Sequence, residues 1–286
     1  MKLSLPKLLG LGVLLGSLTL ALVFGSSLLT TPAHAASGVG SPTDPNIKYV
    51  GRWDTSSSSV VTNYWGGTYF QTAFTGRTVK IKLGGFATIY VSIDGHADVS
   101  HFGSGTINLT PTPLASGTHT LRVASAGDSI RFQGLVLSSG AKTVAPVISS
   151  KLIEFVGDSV TAGATTTEQD LTAYGWLIGE QLKVRHTQIA QPGICLTDKV
   201  TCGSPNRIGM IAQFLKLQNP SYPNSPNWDF SRYQANVVVI NLGTNDNKYG
   251  VSDSRFQTNY IAFLKEVRAK YPHAVILALR GFKGLK

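Results

Sequence analysis

Between residues 48 and 139, apolar and polar positions alternate in short runs with turn-forming residues between them. The runs at 68–74, 78–83, 87–93, 106–109, 118–123 and 130–137 carry the period of two expected of strands with one buried face. Gly84 and Gly85 divide the second run from the third and predict a turn there. Six or more strands at this spacing, with no helical stretch among them, predict a β-sandwich or jelly roll. After Lys151 the pattern changes. Residues 152–156 and 187–190 read as strands, and the β-branched run 237–242 reads as a central parallel strand. Helical periodicity appears at 173–183, with Trp176, Leu177, Ile178 and Leu182 on one face. It returns at 207–217, carrying Ile208, Ile211, Ala212 and Leu215, and at 256–271, with Tyr260, Ile261, Phe263, Leu264 and Val267 inward. A further strand follows at 274–279. Strands alternating with helices predict a parallel sheet covered on both faces, an α/β three-layer region.

The ends of the chain add a compartment. Lys2 and Lys7 precede an apolar stretch from 8 to 29, and Ala33-His34-Ala35 fits a small-x-small cleavage site. Residues 1–35 therefore read as a signal peptide, with an uncleaved anchor as the alternative. The expected plan is a flexible lead-in at 36–47, a β-sandwich at 48–140, a linker at 141–150 and an α/β region at 151–286. The expected destination is outside the cell or in its envelope. The 286 residues carry a net charge of +10, which suits acidic envelope polymers. Lysines and arginines are scattered rather than clustered, so nucleic acid is not an expected partner. No second apolar stretch is long enough to hold the protein in a membrane once the signal is gone. Cys195 and Cys202 form a close pair. In an exported chain that spacing favours a disulfide, and a zinc site lacks further ligands nearby.

Candidate chemistry sits where three strands end. Gly157-Asp158-Ser159 follows the strand 152–156, Gly193 lies in the loop after 187–190, and Gly243-Thr244-Asn245-Asp246 follows 237–242. A parallel sheet gathers such loops at one edge. There Ser159 can act as a nucleophile, with the N–H groups of Ser159 and Gly193 and the carboxamide of Asn245 facing the oxyanion. Taken singly, each residue also suits a turn or a helix cap. The Gly-x-Ser-x-Gly elbow of α/β-hydrolases is absent around Ser159.

These three blocks resemble those of the SGNH, or GDSL, hydrolase superfamily. With a β-rich front region and Trp228-Asp229-Phe230 before the third block, the chain looks most like carbohydrate esterase family 2. The resemblance implies a jelly-roll region followed by a flavodoxin-like SGNH region, and removal of O-acetyl groups from plant polysaccharides through an acyl-serine. It needs no cofactor and no metal. The family pattern also carries an Asp-x-x-His block after the third block. No such block is found here, so the expectation is a C-terminally incomplete region and an enzyme impaired by lack of its base. Of the six histidines, only His273 follows Asn245, and it is placed at the opposite edge of the sheet. Two other readings stand beside this one. The first is a catalytically inactive carbohydrate-binding protein, with Trp53, Tyr64, Trp65 and Tyr69 as possible sugar contacts. The second is an esterase acting on a lipid, peptidoglycan or other acyl ester.

Overall fold

The computed structural model describes residues 38–279. The first region holds strands β1 (Lys48–Val50), β2 (Trp53–Asp54), β3 (Val61–Asn63), β4 (Tyr69–Thr75), β5 (Val79–Ile93), β6 (Val99–Asn108), β7 (Thr118–Ala124), β8 (Arg131–Leu137) and β9 (Thr143–Val144). They run in the order β1-β4-β7-β5-β8-β3-β2, with β6 added to β5 and β9 to β4. Period-two patterning explains why the sheet has an inside. In β5, Val79, Ile81 and Leu83 are buried while Lys80 and Lys82 face water. Trp53, Phe70, Phe74 and Phe132 complete that core.

Gly84 and Gly85 do not make the expected turn. β5 passes through them as one strand of 15 residues, and its pairing with β6 shifts register between Leu83 and Ala87. Glycines without side chains to pack accommodate the irregularity. The residues described within the lead-in are tied down by hydrogen bonds. The Asp44 carboxylate accepts from the N–H of Gly40 at 2.7 Å, the N–H of Asn46 at 2.9 Å and the Thr143 hydroxyl at 2.6 Å. The same knot draws in the start of the expected linker, where Thr143 pairs with Phe74 across β9 and β4. The expected signal segment, 1–35, lies outside the described residues.

The second region is built on β10 (Leu152–Gly157), β11 (Arg185–Ala190), β12 (Val237–Asn241) and β13 (Val275–Ala278), in the order β11-β10-β12-β13. All three pairings are parallel. Its helices are α1 (Tyr174–Leu182), α2 (Met210–Gln213), α3 (Thr244–Lys248) and α4 (Asp253–Lys270). The Ser252 hydroxyl caps α4 by accepting from Arg255 N–H, and the helix buries Phe263 and Val267.

Two helical expectations need correction. α1 turns Gly175, Trp176 and Gly179 inward, leaving Leu177, Ile178 and Leu182 exposed. The glycines let it settle close to the sheet: a Cβ at 175 would stand 2.9 Å from the Phe155 ring, and one at 179 would overlap His186. The helix expected at 207–217 shrinks to the single turn α2. Asn206 and Arg207 adopt left-handed backbone (φ 59° and 54°), which delays its start. Past its end, Arg52 Nη1 donates to the carbonyls of Phe214 and Lys216, both at 2.6 Å, and Trp65 Nε1 donates to that of Leu217 at 2.9 Å. These donors from the β-rich region serve carbonyls that a helix end leaves free; the helix itself stops because Leu217 N–H donates to the Pro226 carbonyl at 3.0 Å and Lys216 bridges to Asn227. Val50, Tyr69 and Ala124 also share an apolar cluster with Leu152, Leu171 and Trp176. The two regions thus pack as one body.

Candidate active site

β11, β10 and β12 are neighbours, so their carboxyl ends deliver the three candidate loops side by side. β10 ends at Gly157, where a Cβ would overlap Thr161 Oγ1 and stand 2.9 Å from the Asn241 carbonyl oxygen. Only glycine lets the turn fold back so tightly. The turn is helix-like: Ala162 N–H donates to Asp158 O and Ala164 N–H to Ser159 O, both at 3.0 Å. Asp158 Oδ1 accepts from Val160 N–H at 3.0 Å. Thr161 is fully buried and meets the Tyr174 hydroxyl at 3.0 Å, which braces the turn against α1. Ser159 is left half-buried at its apex.

Gly193 has φ 78°. The space a Cβ would need is filled by the backbone of Gly203, with atoms 2.7–2.9 Å away. The Cys195–Cys202 disulfide, with Cα atoms 6.0 Å apart, closes the loop between them. Glycine is therefore demanded here by packing as well as by any approach of substrate. Gly243, at φ 116°, turns the chain from β12 into α3.

Asn245 joins the three loops. Its Nδ2 donates to the Ile194 carbonyl at 2.9 Å and reaches Asp158 Oδ2 at 3.4 Å. The group therefore sits between the neighbour of Ser159 and the neighbour of Gly193. Asp246 carries a job the sequence reading left to capping. Its carboxylate accepts from the N–H groups of Leu196 at 2.8 Å and Thr197 at 3.0 Å, clamping the second loop to the third. A carboxylate next to the family-like Asn245 was the available signal. Burial raises the Asp158 carboxyl, and the charge of Asp246 adds to that rise.

Beside these loops lies a cavity of about 360 Å³, lined by Ala162 and Ala164 of the first loop, Gln191 and Pro192 of the second, and Trp65 and Gly127 of the β-rich region. Asp170 also lines it, its carboxyl pushed up to about 8 by burial. A neutral acid there can donate as well as accept.

The five histidines within the described residues stand elsewhere. His119 Nδ1 pairs with Asp94 at 2.7 Å. His186 is buried against Tyr69 and Trp176, with Nε2 at 3.0 Å from Glu180. It pairs with Ile153, six residues before Ser159, which is about 20 Å along a strand. His273 precedes β13 at that same amino edge, while His96 and His101 belong to the β-rich region. Trp53, Trp65 and Tyr69 are core residues, and Tyr64 packs edge-on against Tyr222. These aromatics do not form an open sugar surface.

Comparison with known proteins agrees with both regions. Residues 155–285 match the GDSL-like lipase/acylhydrolase family, and residues 49–146 match the carbohydrate esterase 2 N-terminal family. Cellulase/esterase CelE of Acetivibrio thermocellus is 32% identical over 261 residues, covering 83% of this chain; the chain spans 31% of that relative's length. An acetylxylan esterase/glucomannan deacetylase of Cellvibrio japonicus is 25% identical, over 76% of this chain and 68% of its own. A solved family two carbohydrate esterase from Clostridium thermocellum, in complex with cellohexaose, is 30% identical, covers 81% of this chain and 76% of its own, and superposes with a TM-score of 0.70. A family two carbohydrate esterase from Cellvibrio japonicus shares the fold at 21% identity, with a TM-score of 0.72 over 84% of this chain and 78% of its own.

Proposed function

This chain belongs to carbohydrate esterase family 2, and from that premise we propose that it is a secreted serine esterase removing O-acetyl groups from a hemicellulose-type polysaccharide. Ser159 Oγ attacks the acetyl carbonyl carbon. The N–H groups of Ser159 and Gly193 and Nδ2 of Asn245 hold the oxyanion, and the sugar hydroxyl departs. Water then attacks the acyl-serine and releases acetate, a sequence that calls on no cofactor. The observation that carries this reading is the position of Asn245, bonded to Ile194 and Asp158 and so shared by all three loops. Export rests on the sequence of residues 1–35 and on relatives that act on polysaccharides. No helix among the described residues is long and apolar enough to cross a membrane.

Turnover in this reading is slow, because no described histidine stands near Ser159 to take its proton. Losing a triad member costs orders of magnitude while leaving residual catalysis from the oxyanion donors. Acetate release from acetylated xylan and glucomannan tests the proposal. The parent protein should release acetate slowly, Ser159→Ala should release none, and added imidazole should speed the parent alone. Retention of all hydrolysis by Ser159→Ala would remove Ser159 as the nucleophile. The histidine positions also favour a second reading, a polysaccharide-binding protein without turnover. Glycan binding with no acetate release, with or without imidazole, would establish it. Preference for long-chain over acetyl esters would point instead to a lipid substrate.

A further inference from the structure

Phe86 is 74% exposed and Phe102 72%. Their rings lie 5.8 Å apart between centroids and only 26° from parallel. Large apolar groups held together in water mark contact surfaces more often than accidents. Both sit on the outward face of one hairpin. The irregular pairing at Gly84 and Gly85 precedes Phe86, and Phe102 lies opposite Thr88 across β5 and β6, where cross-strand side chains share a face.

The pair stands at one end of a series of hollows. Thr88 and Tyr90 wall a cavity of about 210 Å³, together with Asp128, Glu168 and Gln169. Gln169 also lines the 360 Å³ cavity beside the loops of Ser159 and Gly193. Ala126 belongs to the first cavity and its neighbour Gly127 to the second. The surface therefore leads from two stacked rings, past hydroxyl, amide and carboxyl groups, to the cavity walled by Ala162 and Ala164 of the Ser159 loop and Gln191 and Pro192 of the Gly193 loop.

We infer that Phe86 and Phe102 form a remote platform for a neutral polysaccharide chain that continues through these hollows toward the Ser159 loop. A pyranose ring offers an apolar C–H face, which suits an aromatic ring, and a polar hydroxyl edge, which suits Thr88, Tyr90 and Gln169. Asp128 and Glu168 disfavour an acidic polymer. Two phenylalanines bury about 300–500 Å² at most, well below the roughly 1,200 Å² of a stable protein interface, so a second copy of this chain is the poorer occupant. The end point of the track rests on the proposed esterase site, while the platform itself does not.

The test uses the full chain carrying Ser159→Ala, so that hydrolysis plays no part. Affinity electrophoresis through gels containing soluble glucomannan or xylan should retard this protein. Adding Phe86→Ala and Phe102→Ala should weaken binding about tenfold, the loss expected for one or two well-covered rings. Phe102→Trp should preserve it, and the melting temperature of the Ala variant should stay within a degree or so of its parent because both side chains are exposed. Equal retardation with and without the rings, or no retardation of the parent by any neutral polymer, overturns the platform. So does sedimentation showing a dimer that dissociates when the rings are removed. Acetate release by the chain with native Ser159 is measured separately. Ring-dependent binding without release, with or without imidazole, sinks the esterase reading and leaves the platform standing, and release without ring dependence does the reverse.

Discussion

The β-rich region fills its interior with Trp53, Phe70, Phe74 and Phe132, whereas the parallel-sheet region encloses a carboxylate, Glu154, within β10, one of its two inner strands. Burial pushes that carboxyl up. What opposes the rise comes partly from the other region. Arg52 follows β1, is itself fully buried, and sits 3.8 Å from Glu154. The Tyr271 hydroxyl donates to Glu154 at 3.1 Å, and the Tyr233 hydroxyl donates to it as well. The guanidinium also lies over the rings of Phe214 and Phe230, each at 5.2 Å. Apolar burial lets the first region hold itself together, while the second is completed by a cation lent from the first. A second arginine, Arg122 of β7, crosses the same boundary at the rim, bonding Asp98 at 2.8 Å and Glu180 on α1.

The largest effect should follow from breaking the buried crossing. Arg52→Ala leaves Glu154 enclosed without its cation and frees the carbonyls of Phe214 and Lys216. The expected loss is about 3–5 kcal/mol, read by urea unfolding of the full chain. A loss below about 1 kcal/mol, the scale of a surface pair, would show that the parallel sheet does not depend on its neighbour. The same variant should release acetate no faster than its parent, because the α2 segment that Arg52 fastens leads back to the second candidate loop.

Much of this arrangement was legible in the sequence, and the part that was not has a common physical cause. The loops of Ser159, Gly193 and Asn245 could be placed because each follows an apolar run that can only be a buried strand, and parallel topology then gathers them. The alternation in β4, β5, β7 and β8 announced an all-β region for the same local reason. Arg52 could not be placed, since its partners lie more than 100 residues away. The helix expected at 207–217 is cut short because left-handed Asn206 and Arg207 delay its start and the segment 215–217 bonds instead to 226–228. In α1, the glycines rather than Leu177 and Leu182 face inward because close approach to Phe155 and His186 outweighs side-chain hydropathy. Gly84 and Gly85 suit a bulge as well as a turn, and only pairing with β6 decides between them.

A smaller effect should come from the loop that the parallel-sheet region closes covalently. The β-rich region has no such link among the described residues. Replacing Cys195 and Cys202 by serine frees the chain between them, and a closed loop of this length stabilises by about 2 kcal/mol. The same change loosens Gly203 against Gly193, so any acetate release should fall more than the stability loss alone explains. Heat denaturation together with turnover on an acetylated chromogenic ester checks both points. If turnover stays at the parental rate while stability falls, the cross-link supports the fold and leaves the Gly193 N–H where it was.

The smallest effect belongs to the rim crossing. Glu180 loses some solvation on folding, which raises its carboxyl, but hydrogen bonds from His186 and Arg122 outweigh this and bring it down to about 2. A depressed carboxylate contributes stability that is present above its ordinary value of 4.5 and is lost as pH falls through the folded value. Glu180→Gln should therefore melt lower than its parent at pH 6 and converge with it between pH 4.5 and 2. The Glu180 side chain is 42% exposed, so solvent screening limits the difference at pH 6 to about 1 kcal/mol, or roughly 2–4 °C. His186 works in the same direction, since burial lowers its pKa and favours the unfolded state once acid protonates it there. Glu180 itself raises the His186 pKa against that burial, and Gln does not, so the gap between the two proteins widens while His186 titrates and closes only as acid neutralises Glu180 in the parent. A gap between parent and Glu180→Gln that persists unchanged to pH 2 would assign the loss to packing against His186, and the two arginine crossings would then differ in burial but not in charge.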